Sequence, residues 1–261
     1  MIKKIIIGGI AGVVLLLVAV VIFVSFSLDG AIRRAIVTYG PQLTKTDVKL
    51  DSASLSLFSG SATLKGFVLG NPPGFKSPFA MQVGTASLAL QPRSVFGPKV
   101  IIRSFNLKSP EITFDTDLRN NNLSKILANV EETTGTAGET PQKPKETKAG
   151  PGKKLEVDDF LISGGKVHVA VTLPALGERS ATVSLPEIHL TALGTNADGI
   201  TAAELTSKVL RVVEQEAAKA ASSAIEELRK NPAALTRGLG TNTSDAVNQA
   251  TKGLNDFLKK P

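Results

Sequence analysis

Between Lys4 and Asp29 the chain runs for 24 residues, Ile5 to Leu28, without a single charge. A helix rising about 1.5 Å per residue would make this stretch about 36 Å long, enough to cross a hydrocarbon core of about 30 Å with some tilt. It exceeds the usual apolar region of about 7–15 residues in a secretory signal. Val24-Ser25-Phe26-Ser27-Leu28 is also a poor small-x-small cleavage site. Residues 1–28 therefore read as an uncleaved transmembrane signal anchor. Lys3 and Lys4 before it nearly balance Arg33 and Arg34 after it, so the basic flanks barely orient it. A very short leading tail and a long polar body favour a cytoplasmic N-terminus and an exported body. Gly8 and Gly12 have the spacing of a helix-pairing motif, although glycine is common in membrane helices for other reasons.

Outside the bilayer the pattern is of period two. After a short polar stretch, helical at its start through Arg34, Val48 and Leu50, then Leu55 and Leu57, alternate with polar residues. The parity changes between Leu50 and Leu55, which predicts a bulge or bend there. Ala62 and Leu64, Leu88 and Leu90, Val100 and Ile102, and Ile112 and Phe114 continue the alternation. Ser59-Gly60, Asn71-Pro72-Pro73-Gly74, Gln91-Pro92, Gly97-Pro98 and Ser109-Pro110 punctuate it. This spacing predicts an antiparallel meander with one apolar face. Residues 131–154 contain only two alanines and no larger apolar side chain, so they cannot bury enough surface to offset their ordering entropy and read as a flexible linker. Alternation then resumes at Val167, Val169, Val171 and Leu173, at Val183 and Leu185, and at Ile188 and Leu190.

Two internal matches stand out. Phe105, Leu107, Ile112 and Phe114 correspond to Phe160, Ile162, Val167 and Val169 at an offset of 55, while Val83, Leu88 and Leu90 correspond to Val183, Ile188 and Leu190 at an offset of 100. Alternating strands resemble one another, so the modest inference is repetition of hairpins along a growing sheet. From Thr201 the period becomes helical. Thr201 and Glu204 form a capping box, and Leu205, Val209, Val212, Ala220, Ala224 and Leu228 lie near one face up to Asn231-Pro232. A weaker helical pattern spans Ser244 to Lys259. The chain thus divides into an anchor (1–28), a first β segment (29–130), a linker (131–154), a second β segment completing the sheet (155–200) and a helical C-terminal region (201–261).

Composition narrows the chemistry. The chain has no Cys and no Trp, one Tyr and two His, which removes thiol nucleophiles, disulfides and cysteine metal sites. His168 and His189 each sit between apolar strand neighbours and so point to the polar face. Asp115 and Asp117 form an Asp-x-Asp at a strand end, a pattern that can hold a divalent cation, but without a nucleotide-binding pattern around it a polar strand exit is preferred. Asp158 and Asp159 are adjacent and diverge on a strand. Nucleophile-elbow, Walker, dinucleotide and zinc-protease motifs are missing, so the chain reads as a non-enzyme needing no cofactor and no metal. Net charge is +7, from 30 basic and 23 acidic residues. Residues 29–130 hold 12 basic and 6 acidic residues, against 2 and 6 in 155–200. A basic membrane-proximal half suits anionic headgroups, and a solvated polar face explains it equally well. The dispersed charges and 5% aromatic content argue against nucleic acid.

An antiparallel sheet must cover its apolar face. About eight strands at about 4.8 Å would span about 38 Å, whereas one helix covers a band about 10–12 Å wide. Part of the face is therefore expected to stay open, and a large open apolar patch marks a binding surface.

The anchor, the run Leu55-Ser56-Leu57-Phe58-Ser59-Gly60 and the segment Gly70-Asn71-Pro72-Pro73-Gly74-Phe75 resemble the amino-terminal region of AsmA-like proteins of Gram-negative envelopes. Phe105 to Phe114 resembles that family's hairpin ending in Pro-Glu-Ile, and Asn122-Leu123 the pair opening its next turn. Gly164-Gly165-Lys166-Val167 and Leu185-Pro186-Glu187-Ile188-His189-Leu190 are similar to its short members. The resemblance implies an inner-membrane anchor, a periplasmic curved β-sheet with an apolar groove, packed here by one long helix, and a part in phospholipid transport or outer-membrane assembly. It carries over no catalytic residues. The expected lipid-facing groove comprises Leu55, Leu57, Leu64, Leu88, Leu90, Ile102, Val167, Val169 and Ile188. Its partners are then phospholipid or another lipid, the membrane, and envelope proteins. The alternative is a structural or interaction module whose helices cover the sheet completely.

Overall fold

The structure, a computed structural model, describes residues 29–134, 153–173, 177–196 and 198–230, with 251–252 and 255–256. The apolar stretch Ile5–Leu28, most of the expected linker and most of the Ser244–Lys259 segment lie outside the described residues. Among the described residues no helix is long and apolar enough to cross a membrane.

A helix, α1, occupies 29–44, running ten residues past the expected Arg34. The strands follow as β1 (Val48–Lys49), β2 (Ser52–Ser56), β3 (Ser61–Leu69), β4 (Met81–Leu90), β5 (Lys99–Lys108) and β6 (Glu111–Thr116). Helix α2 (Asn122–Thr134) then leads to β7 (Lys154–Ser163), β8 (Lys166–Leu173), β9 (Gly177–Ser184), β10 (Ile188–Leu193) and the 29-residue helix α3 (Ala202–Lys230). The first four residues of the expected linker therefore continue α2, and its last begins β7.

The sheet is open and mixed, not wholly antiparallel. β5 lies parallel to β7 and β6 parallel to β8; the remaining pairings are antiparallel. Parallel neighbours need a long crossover, usually through a helix. The connection through α2 between β6 and β7 meets that requirement; from sequence its part up to 130 was assigned to the first β segment and only 131–154 to a linker. Phe105 to Phe114 is not a hairpin either: β5 and β6 continue in one direction, each beside its own partner. The 55-residue correspondence is the parallel register itself, for Phe105 lies opposite Phe160, Leu107 opposite Ile162, Ile112 opposite Val167 and Phe114 opposite Val169. The 100-residue match has no such counterpart. Leu88 faces Phe105 and Leu190 faces Phe160, so equivalent positions there are 102 apart.

Seen this way, the ten strands form six ranks: β1 with β2, β3, β4, β5 with β6, β7 with β8, and β9 with β10. Five spacings of about 4.8 Å make the sheet about 24 Å wide, narrower than eight independent strands would be. One crease crosses every rank. By register it passes through Asp51, Gly66, Gly84, Ser109, Gly164 and Pro186. Gly66, Ser109 and Gly164 have φ of 63°, 49° and 65°, left-handed values that interrupt the pleat without reversing the chain. A Cβ at Gly66 would collide with the Asp51 side chain. The parity change expected between Leu50 and Leu55 is the first member of this line.

The crease divides the apolar face into a near half, beside the start of α1, and a far half. α1 runs along the free edge of β1 and β2, where edge groups would otherwise invite pairing. The Leu55 N–H donates to Asp29 Oδ1 at 2.6 Å, and Arg33 Nε donates to Leu50 O at 2.8 Å. α2, about 20 Å long, crosses the far half. It starts on β6, and near its end Asn129 Nδ2 donates to Thr44 O at 2.9 Å. α3 opens with the expected capping box, Thr201 N–H donating to Glu204 Oε2 at 2.6 Å and Glu204 N–H to Thr201 Oγ1 at 3.1 Å. It then packs on α2 and on β6 to β10. Its buried stripe, Leu205, Leu210, Val213, Ala217, Ala221, Ala224 and Ile225, is rotated from the expected one. Val209, Val212 and Ala220 are half-buried because the helix faces both the sheet and α2.

Candidate functional site

Side chains directly opposite one another across a sheet share a face, so the register assembles the apolar surface row by row. In the near half one row is Leu55, Ala62, Leu88, Phe105, Phe160 and Leu190; the next is Ala53, Leu64, Ala86, Leu107, Ile162 and Ile188. Leu90 stands opposite Ile102, which stands opposite Val157. A register shift at Arg103 keeps Ile102 and Phe105 on the same face. In the far half, Val48, Leu69, Met81, Ile112, Val167 and Val183 form a row, with Phe114 beside Val169.

These rows sort the nine expected groove residues. Val167, Val169 and Ile188 are almost fully buried, as are Leu55 and Ile102. Leu64, Leu88 and Leu90 are half-buried, and Leu57 lies half-buried just beyond β2. Solvent reaches this face in part at Phe67 and Val183 in the far half, at Leu190 on β10, and along a trough over β3, β4 and β5 in the near half. Leu64, Leu88, Leu90, Phe105 and Leu107 form its floor. α1 flanks it on the β2 side, and the start of α3 on the β7 side. Phe105 meets Phe160 edge-on, with ring centroids 5.0 Å apart and planes at 71°, which anchors the floor to the buried rank. Phe105 and Leu107 were legible as repeat residues but were not included in the expected groove, because sequence parity does not reveal where the helices lie.

The opposite face is polar. His168 Nδ1 shares a hydrogen bond with Thr182 Oγ1 at 3.1 Å, and His189 Nε2 one with Asp159 Oδ1 at 2.5 Å. Asp158 pairs with Arg103 Nη1 at 2.7 Å, so the adjacent aspartates have different partners. A shallow hollow of about 340 Å³ on this face is lined by Ser77, Phe79, Glu111, Thr113 and His168, among others.

Asp115 and Asp117 do not converge on a cation site. Buried Asp115 uses Oδ2 to accept hydrogen bonds from the Lys76 and Ser77 N–H groups and from Ser77 Oγ, at 2.9–3.1 Å. Asp117 Oδ1 accepts from the N–H groups of Arg119 and Asn120. Partial desolvation pushes the Asp117 pKa up, but these backbone bonds outweigh it and hold the carboxyl below its ordinary range. Glu132 is also lowered, by its hydrogen bond and charge attraction with Lys45. Among the described residues no cluster of three His, Asp or Glu side chains has the arrangement of a metal site.

Asp115 belongs to a polar hub that pins the 70–80 loop to the sheet and to α2. Fully buried Asn122 accepts from the Asp115 N–H at 3.0 Å, and its Nδ2 donates to Thr113 O and Asn71 Oδ1. Asn71 Nδ2 in turn donates to Ser77 O and Phe79 O. Asn71, marked in sequence by its turn cluster and by the family resemblance, and Asn122, marked by the resemblance, are thus partners in space.

No family profile, curated protein or solved structure matches the chain.

Proposed function

We propose that this protein is a non-enzymatic, single-pass envelope protein, anchored in a bacterial inner membrane with its body in the periplasm, whose near-half trough contacts lipid. On this reading it is a short AsmA-like protein acting in lipid transport or outer-membrane assembly. The observation that carries the proposal is the incompletely buried apolar floor of Leu64, Leu88, Leu90, Phe105 and Leu107, on the half of the sheet next to the first residue after a 24-residue apolar run. A soluble body gains by covering such a surface, and an acyl chain covers it without any specific polar contact.

Native mass spectrometry of the full chain extracted in detergent tests the reading. Co-purified phospholipid is expected, and Leu88→Asp should abolish it while leaving the fold intact. Unchanged lipid occupancy in Leu88→Asp, or a ligand-free wild type, rejects the trough. A ligand-free result would favour a scaffold or interaction module, the reading to which the more fully covered far half lends weight.

A further inference from the structure

Phe58 and Phe96 are 97% and 76% exposed; with Tyr39 they are the large apolar side chains exposed among the described residues. Neither contributes to the core. Phe58 occupies the turn between β2 and β3, and Phe96 the 3₁₀ turn Pro92–Phe96 between β4 and β5. The two turns touch: Leu90 N–H donates to Gly60 O at 2.5 Å, and a Cβ on Gly60 would meet Leu90 O and Pro92. Both aromatic rings therefore project from one end of the sheet.

That end is also where α1 begins. Asp29, which immediately follows the apolar run, accepts the Leu55 N–H three residues before Phe58. Arg34 follows in the second turn of α1, while Arg33 is turned to the Leu50 and Asp51 carbonyls at the crease; Arg93, Lys99, Lys153 and Lys154 lie on or beside the Phe96 turn. Lys153 Nζ donates to Val95 O, and Lys99 pairs with Glu156. The acids nearby are Asp29, which accepts from Leu55; Glu156, which pairs with Lys99; Asp158, which pairs with Arg103 beside Gln91; and Asp198. Arg34, Arg93, Lys153 and Lys154 exceed what remains, so the end is basic.

We propose that this end of the sheet docks on the anionic surface of the bilayer, with Phe58 and Phe96 entering the headgroup–acyl boundary. Paired aromatic tips among basic residues fit that boundary, where rings partition into the interface and Lys or Arg meet anionic lipid. A protein partner would have to share the site with the 24-residue apolar segment that enters at Asp29, whereas a bilayer accommodates both. The inference rests on the membrane-anchor reading, and it would set the mouth of the trough, at Leu90, against the lipid.

The chain has no cysteine, so single labels are straightforward. Full-length protein carrying a fluorophore at Ser59→Cys, or at Glu178→Cys as a distant control, is reconstituted in phosphatidylcholine vesicles with and without phosphatidylglycerol. Flotation in alkaline carbonate reports the anchor, and a nitroxide-bearing phospholipid reports contact. Quenching at position 59 should exceed that at 178 by about threefold or more and fall by about half or more in Phe58→Ser/Phe96→Ser or without phosphatidylglycerol. If the chain floats but position 59 is quenched no more than 178, the docking proposal fails and the anchor stands. A label at 59 shielded from iodide yet unquenched by lipid also overturns it, in favour of a protein partner. Failure to float sinks both readings.

Discussion

The two halves of the sheet are built from the same apolar alphabet, yet the far half is covered more fully than the near one, with Phe67 and Val183 its half-buried positions. In the far half Ile112, Phe114 and Val167 are completely buried, and Val169 almost so. α2 crosses it from β6 to the end of α1, and α3 lies on β6, β8 and β9. Laid across the ranks, α2 spans about 20 Å of a width of about 24 Å, and α3 covers the ranks beyond it. In the near half only the beginning of α3 and the edge helix α1 are present, and Leu64, Leu88, Leu90, Phe105 and Leu107 keep part of their surface in solvent. Openness here is a consequence of where helices run, not of side-chain hydrophobicity.

The sharpest way to break this contrast is truncation of matched aromatic residues. Phe114→Ala, at a site with no exposure, should cost about 3–5 kcal/mol, while Phe105→Ala should cost only about 1–2 kcal/mol because part of that ring is already hydrated. Urea unfolding of the two variants in detergent would measure the difference, and equal losses would mean the near half is as tightly packed as the far one. Next comes the hub that holds the 70–80 loop. Asn122→Ala strands the Asp115 N–H and Thr113 O and should cost about 2–3 kcal/mol, with faster hydrogen exchange concentrated at 71–80. Thr201→Ala removes half of the capping box where α3 starts over the near half. A loss of about 1 kcal/mol is expected, with exchange rising in the first turn of α3 and not at α2.

The smallest effect expected is that of acid. Asp117 and Glu132 both have folded pKa values below their ordinary ones. Their stabilisation is therefore complete above the ordinary carboxylate pKa of about 4 and is lost as pH falls through the lowered values. Both groups sit in the far half or on its rim, and both are exposed, so the thermal midpoint should fall only slightly below about pH 4. The Glu132 share should shrink in high salt, because Lys45 and Glu132 are solvent-screened.

Much of the local structure was legible. The alternation around Leu55, Leu88, Ile112 and Val167 located the strands, and Thr201 with Glu204 located the start of α3. The parity change after Leu50 located one point of the crease. α2 was missed because Asn122 to Thr134 is short and ends in Glu, Glu, Thr and Thr, a composition continuous with the linker after it. Ser109-Pro110 was taken as a reversal because turn residues also serve as bends. A single left-handed residue breaks the pleat, and the strand continues.

What the sequence by itself determined is local: a long uncharged apolar run, strands with one apolar side, a capped C-terminal helix, and two segments alike at a spacing of 55. Only in the folded chain do those segments lie side by side and parallel, does one crease align across six ranks, and do α2 and α3 cover one half of the face more fully than the other. The physical reason is one of range. Backbone preference and hydrophobic period act over a few residues, whereas strand partners and helix placement depend on which long crossover buries the most apolar surface.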